Sequence, residues 1–77
     1  MEYKELQTLL ELRMQVIEDD DLRTNDPEKQ LRQLQAVSEQ IDVWRDRYRS
    51  DMSKRLLHFL DNYSLNKALH FVKHTDL

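Results

Sequence analysis

The sequence predicts an all-α protein, in which an antiparallel helical hairpin (about 3–21 and 27–62) is followed by a short third helix (about 65–74). First, apolar residues recur every three or four positions, the spacing of one face of an α-helix. Second, the 77 residues include no glycine, which argues against glycine-dependent hairpin turns and phosphate-binding loops. Third, the single proline, Pro27, stands where it can start a helix. We treat residues 1–77 as one helical domain.

Helix 1 is predicted from an apolar stripe. Its members recur at three- and four-residue steps: Tyr3, Leu6, Leu10, Met14 and Ile17, with Leu9 and Val16 widening the stripe. The run from Glu18 to Asp21 is acidic, which is unfavourable at the negative pole of a helix dipole, so we expect fraying near Asp20. We interpret this run as a solvated helix end. A divalent cation site is the alternative, although no glycine shapes a calcium loop.

The boundary before helix 2 is marked by three consecutive residues. Asp26 can cap the helix, Pro27 fits its first turn, and Glu28 complements the positive pole of its dipole. The short connection makes helices 1 and 2 antiparallel neighbours. Charge agrees with this packing, because residues 1–30 carry nine acids and four bases whereas residues 31–77 carry six acids and eight bases.

Helix 2 is predicted from a stripe that steps by about 3.6 residues, the period of a straight α-helix. The stripe consists of Leu34, Val37, Ile41, Trp44, Tyr48, Met52, Leu56, Phe59 and Tyr63. Leu65, Leu69 and Val72 fall almost opposite it, so the chain must turn near Asn62 to Ser64. Ser64 is then the expected N-cap of helix 3.

The predicted lengths of the two long helices do not match. At roughly 1.5 Å per residue, helix 1 spans about 28 Å and helix 2 about 54 Å. Packed antiparallel, helix 1 therefore covers helix 2 only up to about Arg47. The part of the stripe beyond Arg47 stays exposed, at a cost on the order of 1.5–3 kcal/mol per large side chain. We predict a homodimer that covers this stripe, with the interface Trp44, Tyr48, Met52, Leu56, Phe59 and Tyr63.

A polar seam runs beside the stripe on helix 2 and contains Ser38, Asp42, Arg45 and Arg49. The segment 37–44 (Val-Ser-Glu-Gln-Ile-Asp-Val-Trp), with Tyr48 after it, resembles the Ser-Gln-Glu-Leu-Asp signature of the small stage-zero sporulation aspartyl-phosphate phosphatases. Helix 1 is similar to theirs, so the resemblance covers residues 6–48. It implies a helical hairpin that dephosphorylates a response regulator, with Ser38 and Asp42 as motif residues and Asp42 inserted beside the partner's phosphoryl-aspartate and magnesium.

The chain departs from that family pattern in three ways. Glu39 and Gln40 stand in reversed order, the motif lies about three turns into helix 2 rather than near its start, and residues 50–77 have no counterpart in the short family members. The structural alternative is that Ser38 permits a close helix crossing and Asp42 pairs with Arg45, Arg49 or Arg13.

The bases of helix 2 suggest nucleic-acid binding, but their spacing argues against it. Arg45 and Arg49 share a face, while Arg47 and Lys54 lie on roughly the opposite one. Acidic residues sit between them at pairing distance, as in Arg47–Asp51. We interpret these bases as an ion-paired surface and predict no nucleic-acid-binding residues.

His70 and His74 are four residues apart, a spacing that lets two imidazoles share a metal ion. Two ligands do not complete a site, cysteine is absent, and His58 is the only other histidine. We therefore predict no metal site and no cofactor, and assign these histidines to the C-terminal end of helix 3.

The sequence as a whole favours a small non-catalytic interaction or regulatory module that acts through self-association and protein–protein contacts. Neither a nucleophile beside a base nor a metal-ligand set can be read from the chain, so an enzyme is the less favoured class. The alternatives are a response-regulator phosphatase and, behind it, a nucleic-acid-binding bundle. We expect a cytoplasmic protein without a membrane segment, since no leader-like run begins the chain.

Overall fold

The computed structural model describes residues 3–75, which form five α-helices: α1 (Lys4–Glu18), α2 (Asp20–Asn25), α3 (Pro27–Tyr48), α4 (Lys54–Asp61) and α5 (Leu65–Thr75). The predicted all-α class is confirmed. α1 and α3 are antiparallel, because Tyr3 contacts Trp44 at one end and the Gln30 side chain donates to the Val16 carbonyl at the other. α5 packs against both α1 and α4, and α2 packs against α3.

The acidic run after α1 has a different role from the predicted one. α1 ends at Glu18, and Asp19 caps a new helix by accepting a hydrogen bond from the Leu22 amide at 2.9 Å. Asp20 and Asp21 then occupy the first turn of α2, where the helix dipole favours negative charge. Helix 1 therefore does not extend to residue 21, because the acids stabilise the start of the next helix instead.

The start of α3 agrees with the prediction. Asp26 accepts a hydrogen bond from the Lys29 amide at 3.1 Å, and Pro27 occupies the first turn.

The single long helix predicted over residues 27–62 is wrong. α3 ends at Tyr48, residues 49–53 form a turn, and α4 begins at Lys54. The Tyr48 carbonyl accepts hydrogen bonds from the amides of Asp51 and Met52 at 2.9 and 3.1 Å. Ser50, Asp51 and Ser53 are weak helix formers, so the chain bends here at little cost.

This turn lets the chain bury its own apolar stripe in one core. The core draws side chains from α1, α3, α4 and α5, and the buried cluster comprises Tyr3, Leu6, Leu10, Val37, Ile41, Trp44, Met52, Leu56, Leu60, Leu65, Ala68 and Val72. The Tyr3 ring lies edge-on to Trp44, with ring centroids 6.3 Å apart. The Tyr3 hydroxyl accepts a long hydrogen bond of 3.5 Å from the Ser53 amide, which ties the start of α1 to the turn.

The predicted third helix is confirmed, and its connection to α4 has a defined geometry. The Tyr63 amide donates to the Leu60 carbonyl at 3.2 Å and the Ser64 amide to the Phe59 carbonyl at 2.8 Å. This pair of bonds is a Schellman motif, which requires a left-handed residue after the helix end. Tyr63 fills that position with a φ of 54°, although glycine is the residue that adopts it without a steric penalty.

We expect Tyr63→Gly to raise the free energy of unfolding by about 0.5–1 kcal/mol, because it removes the steric cost of the left-handed backbone while adding some chain entropy to the unfolded state. Urea unfolding followed by circular dichroism measures the change. Tyr63→Ala is the control, since it removes the exposed ring but keeps the backbone cost. A glycine variant less stable than the alanine variant would contradict this account.

Candidate interaction surfaces

The polar seam predicted on helix 2 is an ion-pair cluster around Arg45. The Arg45 side chain is only 16% exposed, and its guanidinium lies 3.4 Å from the Asp42 carboxylate and 3.2 Å from that of Asp46. A third carboxylate, that of Asp61 on α4, lies 3.7 Å away. Burial by itself lowers the pKa of Arg45, but the hydrogen bond from Arg45 to Asp46 and the surrounding negative charges raise it above its ordinary value.

Arg49 extends this cluster across the turn between α3 and α4. Its two terminal guanidinium nitrogens donate to the two carboxylate oxygens of Asp61, at 3.3 and 3.2 Å. Such a bidentate pair constrains both partners in orientation as well as distance. We call the set Asp42, Arg45, Asp46, Arg49 and Asp61 the clasp, because it links α3 to the end of α4.

One of the two motif residues of the sporulation-phosphatase resemblance, Asp42, belongs to the clasp. Ser38 is half-buried on α3, and Asp42 lies one turn later with its side chain 35% exposed and paired with Arg45. The structural alternative, an Asp42–Arg45 pair, is therefore present in the molecule. An Asp42 carboxylate that reached a metal in a partner would first have to leave this cation.

The residues predicted as a bare dimer interface lie in three environments. Trp44, Met52 and Leu56 are buried in the core of the chain, while Tyr48 and Phe59 are partly buried against it. Tyr63 is exposed at the α4–α5 turn. The expectation of a stripe left bare by a length mismatch is wrong. The turn at residues 49–53 redirects α4, which carries Leu56 and Phe59 of the stripe, and α5 packs against both α4 and α1. Self-association itself stays a prediction.

A different apolar face is exposed along α1 and α3. Val43 of α3 is 66% exposed and Leu12 of α1 is 41% exposed. Beside Val43 lies an open groove of about 510 Å³, lined by Glu5, Leu9, Ala36, Glu39, Gln40, Val43, Trp44, Arg47 and Tyr48. We call Leu9, Leu12, Ala36 and Val43 the α1/α3 face. Sequence reasoning missed this face because Val43 and Leu12 lie outside the apolar stripes from which the two helices were predicted.

A second groove, of about 610 Å³, lies between α4 and α5 and is lined by Arg55, Phe59, Asn66, Lys67, His70, Phe71 and His74. The Phe59 and Phe71 rings meet edge to face with centroids 6.3 Å apart, and the Arg55 guanidinium lies 6.0 Å from the Phe59 centroid. The His70 and His74 rings are 4.2 Å apart. We call this the basic groove, since its lining contains no Asp or Glu.

Within residues 3–75, no group of three or more His, Cys, Asp or Glu side chains is placed to hold a metal ion. No helix in that part of the chain combines the length and the apolar character needed to cross a bilayer.

Comparisons of the chain with protein-family models, curated proteins and solved structures found no match.

We expect Asp61→Asn to lower the free energy of unfolding by about 1 kcal/mol at low salt, because it removes the carboxylate shared by Arg45 and Arg49 from a largely solvated ion-pair network. The difference should shrink at 1 M salt, where the Debye length falls to about 3 Å. Asp51→Asn is the matched control, because Asp51 is an exposed aspartate in the turn of residues 49–53 and has no ion pair in the described part of the chain. Equal effects of the two substitutions would contradict a stabilising clasp.

Proposed function

We propose that this chain is a small non-catalytic interaction module that forms a homodimer through the α1/α3 face. The single observation that carries the proposal is the 66% exposure of Val43 beside an open groove on α3, where Val37, Ile41 and Trp44 are buried and Leu31 is the other exposed large apolar side chain. Isolated exposed apolar residues are common on monomers, but a row of them along two packed helices marks an interaction surface.

The α1/α3 face has the form of half a four-helix bundle. Leu9 and Leu12 are three residues apart on α1, and Ala36 and Val43 are seven apart on α3, so each pair lies on one side of its helix. An identical hairpin packed on this face would bury the row and produce a two-fold symmetric bundle. A chain of this size gains from such burial, because small domains shield a limited fraction of their surface.

Charges along α3 support pairing with an identical chain. Glu39 and Arg47 both line the groove, four residues before and four residues after Val43. In an antiparallel α3 pair centred on Val43, Glu39 of each chain would face the Arg47 of the other. Such an interface is self-complementary, as two-fold symmetry requires.

The alternatives receive less support from the described residues. The phosphatase reading requires Asp42 to leave Arg45, which lies 3.4 Å away. The nucleic-acid reading loses two of its bases, because Arg45 and Arg49 are both held by Asp46 and Asp61. The predicted Arg47–Asp51 pair does not form among the described residues, but the bases without an ion pair, Arg47, Lys54 and Arg55, are divided between α3 and α4. We therefore favour the interaction module over both alternatives.

We expect Val43→Lys to convert the dimer into a folded monomer, because it puts a charge at the centre of the face while the side chain is mostly exposed within one chain. Sedimentation equilibrium gives the mass, and circular dichroism checks the helices. Tyr63→Ala is the control, since Tyr63 is 63% exposed and is not one of the residues of the α1/α3 face. An unchanged mass for Val43→Lys, or a monomeric parent protein at millimolar concentration, would overturn the proposed dimer.

A charge exchange tests the antiparallel register separately. Glu39→Arg and Arg47→Glu should each weaken the dimer about tenfold, since each places like charges opposite one another, and the double variant should recover most of the loss. The two positions are eight residues apart on one helix, so recovery in the double variant reports contact between chains. Additive losses in the double variant would exclude this register.

A further inference from the structure

We infer that the basic groove between α4 and α5 binds an acidic amphipathic helix of a partner protein. This surface is built from different residues than the α1/α3 face, so the inference goes beyond the proposed dimer and does not depend on it.

The floor of the groove is aromatic. Phe59 of α4 and Phe71 of α5 are partly buried, pack against the core and meet edge to face. Their outer surfaces line a space of about 610 Å³, large enough for several apolar side chains. The floor therefore favours a ligand that presents an apolar surface, since burial against the rings provides most of the free energy of binding.

The rim of the groove is cationic. Arg55 and Lys67 stand on opposite helices of the groove and are exposed. Within residues 3–75 no carboxylate lies within ion-pairing distance of either one, whereas Lys73, farther round α5, is 3.7 Å from Glu11 of α1. Asp61, the acid of α4, is held by the clasp. The unneutralised charge on the rim thus complements a ligand that carries carboxylates on both sides of its apolar face.

The dimensions fit a helix of about three turns. α4 has 8 residues and α5 has 11, and the two form a hairpin in which Phe59 contacts Phe71, while Arg55 and His74 line the same groove. At about 1.5 Å per residue, the groove is about 12–16 Å long, which matches apolar anchors at positions i, i+4 and i+7 of a bound helix. The groove is less suited to a nucleic acid, because two cations beside an apolar surface do not complement a continuous row of phosphates.

The probe is a capped synthetic helix with leucine or phenylalanine at i, i+3, i+4 and i+7 and glutamate elsewhere, labelled with a fluorophore. Anisotropy with the full chain should show that it binds about tenfold or more tightly than a scrambled peptide of the same composition, and more tightly than a version with lysine in place of glutamate. Its affinity should fall as salt rises from about 50 to 300 mM, because the rim charges become screened.

Variants locate the site. Arg55→Glu and Lys67→Glu should each weaken binding about fivefold to tenfold, whereas Lys29→Glu, an exposed change of the same charge on α3, should leave it unchanged. Val43→Lys should also bind normally, so loss of the dimer and loss of the groove can be told apart. Circular dichroism confirms that each variant is folded.

Four results would overturn the inference. Three are equal affinity for the ordered and scrambled peptides, no effect of the rim substitutions, and tighter binding of an oligonucleotide than of the acidic peptide. The fourth is self-association of the chain that Arg55→Glu abolishes and Val43→Lys does not, which would make a second copy the occupant of the groove.

Discussion

The turn of residues 49–53 decides which apolar side chains this chain can shelter by itself. Without it, α3 and α4 would form one rod whose second half lies beyond the reach of α1. With it, Met52, Leu56 and Leu60 enter the core that Leu6 and Leu10 begin. The Tyr3–Ser53 hydrogen bond and the clasp hold the turn from either side, the first against α1 and the second between α3 and α4.

The clasp also changes how the polar seam of α3 is understood. Ser38 and Asp42 are spaced as the phosphatase motif would space them, but in the folded chain Asp42 pairs with Arg45 in a network that continues through Asp61, sixteen residues beyond Arg45. Networks of this kind combine solvent-screened attraction with fixed geometry, so they orient helices more than they add stability. The pairing of Asp42 with Arg45 gives both residues a structural role in the folded chain.

Folding the stripe inward leaves two surfaces of different character. The α1/α3 face carries aliphatic side chains with both charge signs beside them, which suits a copy of itself. The basic groove carries aromatic side chains with cations alone, which suits a ligand of opposite charge. The acidic first helices and the basic last helices of one chain thus divide the surface into regions of different charge, for which we propose different partners.

Local signals in the sequence determined the helical class, the Asp26–Pro27 start of α3 and the α5 helix, because periodicity and capping act within a few residues. They could not locate the break after Tyr48, since the stripe keeps helical spacing through it, nor the partnership of Arg49 with Asp61. Those features, and with them the identity of the exposed faces, were decided by the tertiary structure. Burying a contiguous stripe against α1 is worth more than continuing one helix through Ser50, Asp51 and Ser53, and only packing reveals that balance.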